Sequence, residues 1–460
     1  MGSLTSFKDV FIKNERPDLL KGDIGESLFY LSLPIVIINL LRTTYNLVDT
    51  FWLGQLSKEA LAAITFAFPL VFLLISIAMG IAIAGSILVA QNEGGKNREK
   101  RNFAASQTIT FSLIASLILG AIGYLHIDRL VVLMGASKDV VPLATGYLQV
   151  ISIGLFFMFG FGVFISLMRG YGDTVTPMVI MFVSIVINLI LDPFLIFGWS
   201  FFPRMGVEGA AIATVFSRGL AMLVGMVILL TGRKGIEIKL GKMVPDLGFF
   251  KKILKVGVPA SIETVARATT VNMLVAVVGM FPTAIVAGYG IGVRIFSFVF
   301  MPAAAIGRGV STMTGQNIGG DRFDRAGKVN YIAAKYMFLI LTVFGVLMFI
   351  FSEGVVSVFT NEASVISAGS QFLKITALSF GFIGITRSFT GGFRGSGKTL
   401  NAAVISLMTL GVIRLPIAFF LSGVIGSLGI WIAFPISNVA GAVLAFTWFR
   451  MGSWRQKIVD

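Results

Sequence analysis

Two aspartates and an asparagine stand in apolar stretches where polar side chains are costly. Asp49 lies in Y-N-L-V-D-T-F-W-L-G, and Asn188 and Asp192, four apart and so on one helical face, lie in N-L-I-L-D-P-F-L-I-F-G-W. Two carboxylates in a low-dielectric interior cannot both stay ionised and unpaired, so such a pair holds a proton or a small cation. Neutral oxygens would complete the coordination, and Tyr147 and Thr214 are the candidates. A plainer reading makes both acids helix-end residues wetted by the membrane interface; the wholly apolar P-F-L-I-F-G-W after Asp192 argues against it.

These residues meet only if membrane-spanning helices carry them. Hydrophobic residues make up 56% of the chain and charged ones 13%, the balance of a polytopic membrane protein. Twelve spans are expected, at 28–53, 60–84, 104–125, 140–168, 177–200, 207–231, 254–280, 283–307, 329–351, 362–390, 400–423 and 427–449. At 1.5 Å per residue, Asp49 and Asp192 fall about 9 and 12 Å below one membrane face, and Tyr147 and Thr214 about 10 to 12 Å below the same face. The 52 glycines suit close helix packing in a bilayer.

The net charge of +15 sits in alternate loops, which points to membrane topology and not to nucleic acid. Lys96, Arg98, Lys100 and Arg101 follow the second span, Arg233 to Lys255 separate the sixth from the seventh, and Arg322, Arg325 and Lys328 follow the eighth. The positive-inside rule then places both termini and the connector in the cytoplasm of a cell whose plasma membrane holds the protein. The first residues, with Lys8, Lys13, Arg16 and Lys21, lack the apolar core of a signal peptide.

The chain also repeats itself. Gln91-Asn92 with Gly94-Gly95 returns as Gln316-Asn317 with Gly319-Gly320, Arg169-Gly170-x-Gly172-x-Thr174 as Arg394-Gly395-x-Gly397-x-Thr399, and Pro34 as Pro259, all 225 residues on. Gly206, Gly209 and Ser217 recur as Gly426, Gly429 and Ser437 at an offset of 220. The expected organisation is a tail (1–26), an amino-terminal lobe (27–231), a connector (232–253), a carboxy-terminal lobe (254–450) and a second tail (451–460). An even number of spans per half relates the lobes by an axis along the membrane normal, as in transporters.

Other motifs carry less. Gly392 to Thr399 reads G-F-R-G-S-G-K-T and satisfies the P-loop pattern, but an apolar span precedes it and the repeat partner of Lys398 is Asp173. A tight turn is expected and nucleotide binding is not. Cysteine is absent, and His126, the one histidine, is read as loop surface, so no metal site is implied beyond Na⁺ at Asp49, Asn188, Asp192 and Thr214. In the second half, Glu263 and Arg267 lie four apart, read as a structural ion pair, with a role in a cavity or secondary site as the alternative; Arg267 is the repeat partner of Arg42. Arg294, Arg308, Lys374 and Arg387 either line a cavity or snorkel to its edges. No nucleophile with a base appears, so an enzyme is not expected.

Together the Pro-bearing first span with V-D-T-F-W-L-G, the Q-N-x-G-G loops after spans two and eight, and the R-G-x-G-x-T turns after spans four and ten resemble the multidrug and toxic compound extrusion (MATE) family over residues 22–450. The resemblance implies an all-α membrane fold of two pseudo-symmetric six-helix lobes, acting as a monomer. It also implies export of organic cations and other amphipathic compounds by antiport with H⁺ or Na⁺, without a cofactor. In family members with an amino-lobe cation site, the ion-binding roles fall on Asp49, Asn188 and Asp192 here, with Tyr147 and Thr214 beside them, and Pro34 falls where the first helix bends. The stretch 370–390 has no acid to partner Glu263, so the chain looks more like the DNA-damage-inducible (DinF-like) branch than like members with a carboxy-lobe site. Relatives in the same superfamily flip lipid-linked saccharides, and the intramembrane arginines keep that second reading open.

Overall fold

A computed structural model describes residues 16–459; Lys8 and Lys13 of the expected tail, and Asp460, lie outside the described residues. Those residues form helices and no strands. The first lobe comprises α1 (Ile24–Leu56), α2 (Lys58–Gly94), α3 (Arg98–Leu133), α4 (Val141–Tyr171), α5 (Val175–Phe197) and α6 (Gly206–Thr231). The second comprises α7 (Leu247–Val278), α8 (Thr283–Gly319), α9 (Phe323–Ser357), a two-piece α10 (Ala363–Ala377 and Phe380–Gly395), α11 (Thr399–Ile425) and α12 (Ser427–Arg450). Eleven helices are individually long and apolar enough to cross a bilayer, and the two pieces of α10, bent by 53°, make a twelfth span.

Local chemistry sets the ends. Asp23, Ser57, Asn97 and Asp246 each accept a hydrogen bond from the backbone N–H three residues on, capping α1, α2, α3 and α7. Helices α4 and α10 stop at one motif: Gly172 at φ +103° and Gly397 at φ +80° take the left-handed conformation that a side chain would strain.

The Q-N-x-G-G segments are not loops as expected. They are the last turns of α2 and α8, because Asn92 and Asn317 donate to the carbonyls of Leu88 and Met313, one turn back, and so satisfy their amides inside a helix (2.8 Å each). His126 lies on the exposed surface of α3 and not in a loop. At the supposed P-loop, α10 precedes the turn, and Lys398 Nζ meets Gln456 Oε1 at 2.8 Å.

The lobes touch along α1–α8, α2–α7 and α2–α8. The contact is tight on the side that carries the connector. There Gln91 Nε2 donates to the Gly395 carbonyl of the other lobe (3.0 Å), and Gln316 Nε2 donates to the Gly170 and Tyr171 carbonyls (3.0 Å each). Each lobe's Q-N motif thus clasps the other lobe's R-G-x-G-x-T turn. Gly94 and Gly319 make the approach possible, since a Cβ on either would collide with the backbone carbonyl of Gln316 or Gln91. The connector lies against α3: Gln107 donates to the Lys242 and Val244 carbonyls (2.8 and 2.7 Å), and its Oε1 accepts from the Asp246 N–H (3.0 Å). Lys242, 2.8 Å from Glu99, holds that carboxyl below the usual carboxylate range.

A bulky side chain at the clasp should part the lobes on this face, because overpacking costs about 1–3 kcal/mol. In a background where Thr314→Cys supplies the thiol that the chain lacks, Gly94→Val and Gly319→Val should each speed maleimide labelling about tenfold. Labelling at the parental rate would mean that the clasp is not a gate.

Candidate functional site: a polar pocket in the amino-terminal lobe and its arginine-filled counterpart

The structure brings the five expected oxygen-bearing side chains of the first lobe together. Asp192 and Asn188 are buried at 0% and 1% exposure on α5, and Asn188 Nδ2 donates to Asp192 Oδ1 (3.1 Å). Asp49 on α1 and Tyr147 on α4 face this pair closely enough that the three groups interact electrostatically. Thr214, buried on α6, closes the ring by a hydrogen bond to Tyr45 on α1 (2.5 Å). Pro193, inside α5, has no N–H to give the Leu189 carbonyl, which leaves a backbone acceptor free next to the acids.

Three oxygens in this pocket have no partner: Asp49 Oδ1, Asn188 Oδ1 and Asp192 Oδ2. All are acceptors. Buried acceptors without donors are expensive, and a proton or a hard cation is what would satisfy them together. The fit to such an ion rests on these orphaned atoms.

Two members of the site escaped the sequence reading. Tyr45 lies one turn before Asp49, and Arg218 lies one turn after Thr214; both share a helical face with a residue already singled out, so the four-residue spacing was the available signal. Arg218 sits over the Tyr45 ring (5.6 Å to the centroid) and within electrostatic reach of Asp49. It places a fixed positive charge beside the pocket.

The turn after α4 is tied to α1. Pro34 lacks the N–H that would bond the Tyr30 carbonyl, and Thr174 Oγ1 donates to that carbonyl instead (3.4 Å). In the second lobe Thr399 Oγ1 donates to the Val256 carbonyl of α7 (2.7 Å).

The second lobe is built to the same plan with different charges. Glu263, buried on α7, pairs with Arg267 as expected (2.9 Å), and also takes two hydrogen bonds from Arg394 (2.6 and 2.8 Å) and one from Ser406 (2.7 Å). Arg394 belongs to the R-G-x-G-x-T turn, so its role in this network was hidden by its place in a turn motif. The position matched to Asp49 is Leu274, and next to the position matched to Asp192 stands Arg414, buried, donating to Ser437 Oγ (2.8 Å) and Asn438 Oδ1 (2.6 Å). Lys374 is half-buried and paired with Glu353 (2.7 Å), and Arg387 lies over the Phe300 ring (4.2 Å). Arg42 carries no ion pair among the described residues and is exposed, with Arg218 and Arg308 as electrostatic neighbours.

Comparison with known proteins agrees with this architecture. The MatE family model matches residues 34–194 and again residues 259–420, two segments that begin at the repeat-related prolines. A probable multidrug resistance protein of Bacillus subtilis is 30% identical over 95% of this chain and 96% of its own length. An FAD transporter of Shewanella oneidensis is 29% identical over 94% of this chain and 96% of its own length. The outward-facing conformation of a MATE multidrug resistance transporter superposes with a TM-score of 0.87 at 26% identity, over 95% of this chain and 98% of that one. With the family model covering most of both lobes, the chain belongs to the MatE family of multi-pass membrane transporters.

Proposed function

We propose that the protein is a secondary active exporter of amphipathic small molecules, driven by inward H⁺ or Na⁺ through a site in the amino-terminal lobe. The observation that carries the reading is the cluster of unpartnered buried oxygens on Asp49, Asn188 and Asp192, ringed by Tyr45, Tyr147 and Thr214. The names of the relatives support this reading: a probable multidrug resistance protein fits export, and an FAD transporter fits small organic compounds as cargo. The coupling ion enters where Asp49 and Asp192 face each other, neutralises them, and lets α1 and α5 pack more closely. The basic connector faces the cytoplasm of a cell bounded by this membrane, with both tails on the same side, and the protein works as a monomer. A second reading, flipping of lipid-linked saccharides, is favoured by the arginines between the lobes, since such lipids present phosphate to the interior.

Reconstitution into vesicles with an imposed pH or sodium gradient tests the coupling. Asp49→Asn and Asp192→Asn should each lower gradient-driven transport by about 5- to 150-fold, the range of a coupling free energy of 1–3 kcal/mol. The double variant should be no worse than either single one, because the pair acts as a unit. Transport by Asp192→Asn with its gradient dependence intact would sink the amino-lobe mechanism.

Glu263→Gln should separate structure from coupling. It leaves Arg267 and Arg394 without their carboxylate and should cost about 3–5 kcal/mol of stability, whereas Asp192→Asn should not lower the melting temperature. Equal melting temperatures for Glu263→Gln and the parent would remove the structural assignment. Pro34→Ala supplies an N–H that competes with Thr174 for the Tyr30 carbonyl, stiffening α1. Turnover should fall more than substrate affinity; matched losses in both would make the proline a packing residue only.

A further inference from the structure

Between the lobes, four arginines form two pairs related by the repeat: Arg42 with Arg169 in the first lobe, and Arg267 with Arg394 in the second, each 225 positions on. The second pair encloses a carboxylate, Glu263, in three hydrogen bonds of 2.6 to 2.9 Å. In the first lobe the residue matched to Glu263 is Ile38, which is buried at 5% exposure. Arg42 and Arg169 interact electrostatically with each other and with Arg308, and none of the three has a carboxylate within salt-bridge distance among the described residues. Arg308 reaches from α8 toward α1, with Nη1 3.4 Å from Asn39 Oδ1, next to Ile38. Arg42 is exposed, and Arg169 and Arg308 are half-buried, so a molecule between the lobes can reach all three.

We propose that Arg42, Arg169 and Arg308 are the cargo site, and that the cargo is an amphiphile bearing a phosphate or a similar oxyanion. The second lobe displays the bound state internally: Glu263 does for Arg267 and Arg394 what the cargo's oxyanion does for Arg42 and Arg169. Guanidinium groups present paired donors that match the oxygens of phosphate, and like charges gathered in a low dielectric gain most from an anion shared among them. Organic cations fit this interior poorly. Such a cation meets like charge at these arginines, and Phe300 already has a guanidinium, that of Arg387, over its face at 4.2 Å from the centroid. The proposal rests on the exporter reading and names its substrate class.

The test uses the purified full-length chain and a matched pair of probes, flavin mononucleotide and riboflavin, which share a ring system and differ by a phosphate. Flavin mononucleotide should bind at least about tenfold more tightly, a difference of about 1.4 kcal/mol. Arg42→Gln and Arg169→Gln should erase that difference by weakening the binding of flavin mononucleotide. Ile38→Glu, which installs in the first lobe the acid that the second lobe already has, should erase it too. Gel filtration identifies any variant that has not folded, and the arginine variants carry the test if Ile38→Glu fails.

Equal binding of the two flavins by the parent protein, or tighter binding of ethidium that is indifferent to Arg42→Gln, would overturn the anion site. In proteoliposomes, flipping of a fluorescent phosphatidylglycerol by the parent and not by Arg42→Gln would assign the oxyanion to a lipid headgroup. Binding of flavin mononucleotide without flipping would assign it to a soluble ester. Asp192→Asn should keep the preference for flavin mononucleotide, because equilibrium binding needs no gradient. If Asp192→Asn loses transport while Arg42→Gln leaves the preference intact, the coupling site stands and the anion site falls.

Discussion

The reciprocal clasp, Gln91 on Gly395 and Gln316 on Gly170, is the contact on which the two-lobed arrangement depends. It joins the end of one lobe's second helix to the other lobe's turn, twice, and it works only because Gly94 and Gly319 let two helix ends approach to backbone contact. Hydrogen bonds between membrane helices are worth about 0.6 kcal/mol on average. Such bonds fix a geometry without making it permanent. The clasp is close and specific, yet cheap to break, which is what a face that must open in alternating access requires. The same turns also hold α1 and α7 through Thr174 and Thr399, so separating the lobes at the clasp pulls on the first helix of each.

The two lobes combine symmetry in backbone with asymmetry in charge. In the second lobe every strong charge at the repeat-related positions is answered: Glu263 by two arginines and a serine, Arg414 by Ser437 and Asn438, and Asn438 in turn by Ser379 (2.9 Å). In the first lobe the corresponding places hold unanswered oxygens at Asp49, Asn188 and Asp192, and, among the described residues, guanidiniums without a carboxylate at Arg42 and Arg169, the latter donating only to Ser166 Oγ (3.1 Å). A satisfied polar network is rigid, and a half-satisfied one gains free energy from whatever completes it. On the proposed mechanism, one lobe is the frame and the other the part that responds to ligands.

Much of this was legible in the sequence because it depends on spacing. The 225-residue offset exposed the two lobes, and Asp49 with Asn188 and Asp192 stood out because charge inside an apolar span is rare. What remained hidden depends on contacts across the fold. Arg394 sat in a motif that read as a turn, and only the reach of its side chain from the end of α10 to α7 makes it a partner of Glu263. The Q-N-x-G-G segments carry loop-like residues, but side-chain bonds back to Leu88 and Met313 keep them helical. The bend in α10 has no proline to announce it. There Thr376 and Ser379 turn their hydroxyls onto the Phe372 and Thr376 carbonyls (2.8 Å each), which is known to bend helices.

Gln91 does one thing more. While its amide N–H holds Gly395, its Oε1 accepts the backbone N–H of Ile458 (3.0 Å), and the neighbouring Lys457 reaches Asp321 beyond the end of α8 (2.6 Å). The strand of chain after α12 is thus threaded across the seam between the lobes like a bolt across double doors. Separation at the seam strains the tail as well as the glutamines, so the tail belongs to the permeability barrier. A ligand or modification that lifted it would change how readily the lobes part without touching either proposed site.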